Sequence, residues 1–245
     1  MGENVIVIFD FDKTIIDDDS DLWVVSELGL THLFNQLRPT LPWTSLMDEM
    51  LKELHSQGTT INHIADCLKR AYLHPSIISA IKSAHALRCD LRIISDANTF
   101  YIKTILEHHG VWDCFSEVNT NPAFVDEEGR LRITPFHDST LSPHSCHLCP
   151  PNMCKGLVID RIRGSLPENK RRRLIYIGDG QGDYCPTLKL EARDFVMPRK
   201  DYPLSNRVFS DPKLVNAEVH EWSSGEEFES ILLKRINKLA IQIKM

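Results

Sequence analysis

The 245-residue chain has no apolar stretch approaching the ~18 residues that a membrane-spanning helix needs, so it is expected to have no membrane partner. Met1-Gly2-Glu3-Asn4 carries no basic n-region, and the short apolar run behind it ends at a carboxylate, which argues against a signal peptide. Gly2 is not followed by the myristoylation pattern, because Ile6 stands where Ser or Thr is required. Positive charge is also scarce. The 34 acidic residues outnumber the 28 basic ones and give a net charge of −6, whereas a dedicated nucleic-acid binder shows a basic excess. The one basic run, Lys170-Arg171-Arg172-Arg173, reads as a solvated face ahead of a strand. There is no internal repeat and no low-complexity linker. Cysteines number seven, an odd count, with three crowded into Cys146–Cys154, so a reduced, cytoplasmic protein is expected.

What is present is the ordinary balance of a globular chain, 42% hydrophobic and 25% charged. The length suits one large domain or one and a half, with a core sufficient to fold without a disulfide or metal staple. Short apolar runs alternate with amphipathic segments, the pattern of an α/β parallel sheet. Val5-Ile6-Val7-Ile8-Phe9 suits a central strand buried on both faces. Further strands are expected at Leu91–Ile94, Phe115–Val118, Leu174–Ile177 and Phe195–Met197, with helices at Tyr101–His109 and Lys155–Arg163. Phe228, Ile231, Leu232, Ile236, Leu239 and Ile243 share one face of a closing helix.

Two stretches interrupt the alternation. Ser20 to Ala86 reads all-helical, with Leu46, Met47, Met50, Leu51 and Leu54 at helical spacing. A single crossover needs only about a dozen residues, so the excess is expected to be an inserted cap over residues 20–86, with residues 1–19 and 87–245 forming the core. Pro122–Pro135, with Asp126-Glu127-Glu128-Gly129 inside it, reads as a β-hairpin. His137–Cys154 is a loop by composition.

The chemistry concentrates where strands end. The first strand delivers Asp10-Phe11-Asp12-Lys13-Thr14 at its carboxyl end, the edge at which open α/β sheets bind ligands. Two aspartates so close repel each other and call for a cation or a shared proton. The competing reading is a solvated acidic turn, weakened by the apolar Ile15-Ile16 that follows. A second pair sits in Gly178-Asp179-Gly180-Gln181-Gly182-Asp183. Alone it could be a calcium-type turn or a glycine-rich connection. Two strand ends each carrying an aspartate pair suggest one oxygen-rich pocket suited to Mg²⁺. Ser95 ends the strand at Leu91–Ile94, and Lys155 opens a helix; both could hold an anion. No glycine-rich Walker loop precedes a Lys-Ser/Thr pair, which excludes a P-loop kinase.

The order Asp10, Asp12, Thr14, then Ser95, then Lys155, then Asp179 and Asp183 resembles the four motifs of the haloacid-dehalogenase (HAD) superfamily of phosphohydrolases over almost the entire chain. The resemblance implies a HAD-like, Rossmann-type α/β fold, a parallel sheet with helices on both faces and an inserted helical cap of the C1 type. It implies Asp10 as the nucleophile that becomes an aspartyl phosphate and Asp12 as the general acid and base. Ser95 and Lys155 would grip the phosphoryl group. Asp10, Asp179 and the Asp12 carbonyl would hold Mg²⁺, with Asp183 orienting a metal-bound water. The partner is then a small phosphorylated metabolite. A catalytically weak phosphometabolite-binding protein and a phosphate-transfer mutase are the other classes within the fold, and the complete acidic set argues against the first.

The finer resemblance is to the phosphoethanolamine/phosphocholine phosphatase branch, which includes plant thiamine-phosphate-phosphatase-like proteins and proteins described as inorganic pyrophosphatases. It rests on Asp10–Asp17, Ser20-Asp21, Ile94–Phe100, His144–Pro150, Asn152–Lys155 and Gly178–Pro186, with Gly182 departing from the Asn of many relatives. It implies Asp21 and Asp96 as residues facing the leaving group, where two carboxylates would attract a cation. Thiamine monophosphate, phosphoethanolamine and phosphocholine each supply one; pyrophosphate is the alternative. Read without the resemblance, Asp21 caps a helix and Asp96 shapes a turn. Trp23, Trp43 and Tyr72 could stack on a cation but are more ordinary as core aromatics. Cys146, Cys149 and Cys154, with His144 and His147 alongside, are ligand types for a structural Zn²⁺; buried thiols or an oxidative disulfide are the alternatives. His137 reads as a loop histidine, and His108-His109 as a helix end.

Overall fold

A computed structural model describes residues 5–137, 144–166 and 172–242 of the chain. The expectations that concern Met1–Asn4, the 138–143 stretch of the Cys/His/Pro-rich loop, Lys170, Arg171 and Ile243 lie outside the described residues. The strands are β1 (Val5–Phe9), β2 (Asp90–Asn98), β3 (Phe115–Asn121), β4 (Ala123–Val125), β5 (Leu131–Ile133), β6 (Arg173–Gly178), β7 (Phe195–Pro198) and β8 (Glu218–Val219). Six of them form one sheet in the order β3-β2-β1-β6-β7-β8, and every neighbouring pair is parallel. β4 and β5 pair antiparallel as the expected hairpin.

β1 is central and every residue in it is buried. Its side chains alternate between two cores, as strand geometry requires. Val5, Val7 and Phe9 enter one, with residues of α5 (Pro75–Ala86), α6 (Thr99–His108) and α10 (Gly225–Gln242). Ile6 and Ile8 enter the other, with α7 (Lys155–Gly164), α8 (Tyr184–Thr187) and α9 (Pro203–Ser210). Helices therefore cover both faces of a parallel sheet. On α10 the residues Phe228, Leu232, Ile236 and Leu239 are buried and Ile231 partly so, which is the expected face.

Between β1 and β2 lie α1 (Ser20–Glu27), α2 (Thr31–Leu37), α3 (Trp43–Ser56), α4 (Ile61–Leu68) and α5, with no strand among them. Leu46, Met47, Met50, Leu51 and Leu54 are all buried along α3. α5 packs against α10 beside the sheet. The hairpin leans on α3: Arg132 of β5 donates twice to Asp48 (2.9 and 2.7 Å), and Ile133 N donates to the same carboxylate (3.2 Å). None of the helices among the described residues is long and apolar enough to cross a membrane.

Candidate active site

The sheet sets the first acidic residue directly. Asp10 N donates to the Ile177 carbonyl of β6 (2.8 Å), so the backbone at Asp10 is still held by the sheet as the chain leaves it. Asp10 and Asp12 line one pocket, while Phe11 between them is fully buried in the core. The turn that follows puts Lys13 at φ +55°. Arg199, directly after β7, holds that turn, with Nη1 on the Lys13 carbonyl (2.6 Å) and Nη2 on Asp17 (2.8 Å). Its guanidinium lies over the rings of Tyr202 and Trp222, 4.7 and 5.1 Å from their centroids.

Asp183 is fully buried and accepts from four donors. Its Oδ2 takes Asp179 N (3.0 Å) and Gly180 N (2.9 Å); its Oδ1 takes the Tyr176 hydroxyl (2.6 Å) and Lys155 Nζ (2.8 Å). This is possible because position 178 is glycine: a Cβ there would stand 2.6 Å from the Asp183 carboxylate. With its lone pairs so engaged, Asp183 is suited to positioning other groups.

Lys155 is the first residue of α7 and is buried, with Nζ also 2.9 Å from Asp10 Oδ1. Burial alone would lower its pKa, but Asp10, Asp183 and Asp96 raise it well above the usual lysine value, so it stays an ammonium. Burial, then Asp183, push Asp10 well above the ordinary aspartate range, with Lys155 pulling the other way. Burial and Asp183 likewise raise Asp179 to about 7. One oxygen from each of Asp10, Asp179 and Asp183 lies within 4.8 Å of the others. Thr14 Oγ1 donates to Asp179 (3.3 Å). Buried carboxylates crowded together, with one buried ammonium among them, form a hard oxygen set that fits Mg²⁺. The Asp12 carboxylate is not in that set.

These raised values have a sign in stability. Between about pH 4 and pH 7 the folded, magnesium-free chain holds protons that the unfolded chain releases, so stability falls as pH rises through that window. Calorimetry of protein dialysed free of magnesium is expected to show Tm falling from about pH 5 to about pH 8, with added Mg²⁺ raising it most at the alkaline end. A Tm that stays level across the window would contradict this account of the site.

The other wall of the pocket carries Asp12, Asp19, Asp21 and Asp96. Asp12 Oδ1 accepts from Ser20 N (2.9 Å) at the start of α1. Burial, then Asp19 and Asp21, raise its carboxyl well above the ordinary range. Asp19 caps α1, accepting from Leu22 N (3.0 Å). The capping role considered for Asp21 therefore falls to Asp19. Asp21 instead is 5% exposed, lines the pocket, and takes the Trp43 indole N–H on Oδ2 at 2.7 Å. Its Oδ1 is buried without a partner. Burial and Asp19 raise its carboxyl to about 7. Asp96 accepts from Asn152 Nδ2 (3.2 Å) and lines the same pocket rather than merely shaping a turn. Ser95 Oγ accepts from Ala97 N (3.2 Å), which leaves its proton to donate.

All eight expected site residues thus meet in one cavity of about 380 Å³, the small end of ligand pockets. Sequence reading missed Lys13, Asp19, Asn152 and Tyr202 in its lining and Tyr176 behind it, while Trp43, read as more ordinary in the core, also lines it. Asp19 had a signal, since an aspartate directly before a helix reads as its cap. Trp23 and Tyr72 lie elsewhere: the Trp23 indole donates to the Cys67 carbonyl (3.1 Å), and Tyr72 is half exposed and meets His74 edge to face. His137 packs between Phe136 and His144, away from the pocket lining.

A family model described as "Putative Phosphatase" matches residues 5–236. The chain is 58% identical to the Arabidopsis thaliana protein named inorganic pyrophosphatase 2, over 97% of this chain and 86% of that one. It is 56% identical to the Arabidopsis thaliana thiamine phosphate phosphatase-like protein, over 96% of each. Among solved structures, a HAD family hydrolase from Salmonella enterica serovar Typhi aligns with a TM-score of 0.61 at 17% identity, covering 92% of this chain and 70% of that one, a likeness of fold.

Proposed function

We propose a substrate class and a mechanism from one premise: the chain belongs to the HAD-superfamily phosphatase family and is a phosphoric monoester hydrolase. The substrate class is compact monophosphates with a cationic leaving group, such as thiamine monophosphate, phosphoethanolamine or phosphocholine. The observation that carries this reading is Asp21, a buried carboxylate in the pocket with one oxygen fixed by Trp43 and the other unpartnered. Asp19 and Asp96 stand in the same pocket, so the space beyond the phosphoryl group favours positive charge. Gly182 leaves room there, since a Cβ would come within 3.3 Å of Asp96 Oδ2.

In the first step an Asp10 carboxylate oxygen bonds to phosphorus as the bond to the leaving oxygen breaks, and Asp12 gives that oxygen its proton. A carboxyl held well above the ordinary range is suited to carry that proton near neutral pH. In the second step Asp12 takes a proton from water, the water oxygen bonds to phosphorus, and the bond to Asp10 breaks. Lys155 and Ser95 hold the phosphoryl oxygens and stabilise their charge. Asp10, Asp179 and the Asp12 carbonyl would hold Mg²⁺, with Asp183 positioning them, and the bound ion would supply the charge neutralisation that lets one anion approach another. Residues 20–86 act as a cap over the core of residues 1–19 and 87–245, limiting substrate size and excluding water. α5 is the part of that segment that packs beside the sheet. A reducing, cytoplasmic setting suits the seven free thiols.

Pyrophosphate hydrolysis is the second reading, favoured by the name of the 58%-identical relative. Its leaving group is an anion facing Asp19, Asp21 and Asp96, so it needs a divalent cation between them. A Mg²⁺-dependent phosphate-release panel decides by kcat/KM: thiamine monophosphate, phosphoethanolamine, phosphocholine, pyridoxal phosphate, pyrophosphate and p-nitrophenyl phosphate. The cationic esters are expected to lead; pyrophosphate in first place would overturn the reading.

Asp21→Asn should raise KM for the cationic substrates roughly ten- to a hundredfold and that for p-nitrophenyl phosphate far less. Because Asp21 ionises at about 7, wild-type KM for a cationic ester, divided by that for p-nitrophenyl phosphate, should fall as pH rises through that value. The ratio should be level in the variant. Equal changes for both substrates would remove the cation from the argument.

A further inference from the structure

The loop before α7 ends at Cys154, next to Lys155. Cys185 belongs to α8, two residues past Asp183. Its Sγ sits 3.6 Å from that of Cys146 and 3.9 Å from that of Cys154. The sulfurs of Cys146, Cys149, Cys154 and Cys185 all lie within 4.8 Å of one another. A tetrahedral zinc with Zn–S bonds of about 2.3 Å spaces its sulfurs roughly 3.8 Å apart, whereas a disulfide needs about 2.05 Å. The observed separations match the first spacing.

The surroundings are shaped for the same purpose. Position 156, in the first turn of α7, is glycine, and a Cβ there would stand 2.6 Å from Cys185 Sγ. The Gly156 N–H donates to that sulfur. The histidines beside the loop are not part of the set. His144 Nε2 is 2.9 Å from the Pro150 carbonyl, and His147 is exposed. The loop's own three cysteines lack a fourth partner in their stretch of sequence, and the fold brings Cys185 to them.

We propose that Cys146, Cys149, Cys154 and Cys185 bind a structural Zn²⁺ that fastens the loop presenting Lys155 to the loop presenting Asp179 and Asp183. Four protein thiolates close the coordination sphere, so this ion holds no open position for chemistry. Its binding free energy adds to folding and keeps Lys155 in register with Asp183. The site does not depend on which phosphate ester is cleaved, and its test needs no turnover.

The full chain, purified from zinc-supplemented culture, is expected to retain about one zinc per molecule after gel filtration. Replacement with Co²⁺ should give the intense sulfur-to-metal charge-transfer and d–d bands of a tetrahedral thiolate site. Cys185→Ser should lose the zinc and lower Tm by about 5 °C or more, while Cys67→Ser, in α4, keeps the metal. Wild-type protein with neither zinc nor the Co²⁺ spectrum would overturn the proposal. So would a Cys185→Ser protein that keeps full stoichiometry and an unchanged spectrum. If that variant is insoluble, the wild-type Co²⁺ spectrum decides alone, because a cluster of hydrogen-bonded thiols yields none.

Discussion

Asp10→Asn should cut phosphate release by about four orders of magnitude or more and leave the chain folded. The amide has nearly the volume of the carboxylate but no charge with which to attack phosphorus. Stability should not suffer, because the wild-type carboxylate sits buried beside Asp183 and Asp179 and is raised well above its ordinary pKa. Removing that charge relieves repulsion, and Lys155 keeps its 2.8 Å contact with Asp183. Magnesium should bind more weakly, since one of three carboxylates is gone. Stopped assays with phosphoethanolamine, a melting curve and a magnesium titration check the three parts. A variant with near-normal turnover would end the assignment of Asp10 as nucleophile.

Lys155→Met should behave in the opposite way on stability. The side chain is similar in volume, but the only buried ammonium among the described pocket residues is lost. Asp10 and Asp183 lose their shared partner at 2.9 and 2.8 Å. Breaking a buried ion pair by removing one member costs about 3–5 kcal/mol, which for a chain of this size lowers Tm by roughly 10 °C. Turnover should fall about a thousandfold or more, because the phosphoryl oxygens lose their cation. Urea unfolding and phosphate-release assays measure both effects. The pair Asp10→Asn, Lys155→Met separates the two roles: one variant inactive and as stable as wild type, the other inactive and fragile. A Lys155→Met protein as stable as wild type would mean that the ammonium does not neutralise the site.

Much of this was legible because the relevant residues sit at ends of strongly patterned elements. Val5–Phe9 is a continuous apolar run, β-branched up to Ile8, and the strand has those bounds. Acidic residues at its end and at the end of β6 had to approach each other once both strands were placed in one parallel sheet. The two strands pair directly, Phe9 against Ile177. β8 was not legible, since two residues carry no period. Tyr176 reads as one more buried residue of β6, and nothing local shows that its hydroxyl turns to Asp183. Asp19 and Asp21 were hard to separate because an aspartate favours a helix start at either position; a two-residue shift of the boundary moves the cap from one to the other. Trp43, Asn152 and Cys185 enter through long-range packing, which spacing along the chain does not encode.

The strand order also has a consequence for how the protein comes into being. β1 lies between β2 and β6, and Val5 pairs with Arg173. On a ribosome adding about 5–20 residues per second, the β6-facing edge of β1 waits on the order of ten seconds or more for its partner. β1, β2 and β3 can assemble in the meantime with α5 and α6, but they leave an apolar strand with an open row of backbone donors and acceptors. Birth of the enzyme is therefore abrupt: the nascent chain is inert and sticky until β6 emerges, and a product arrested before that point is a client for chaperones, with no phosphatase activity of its own.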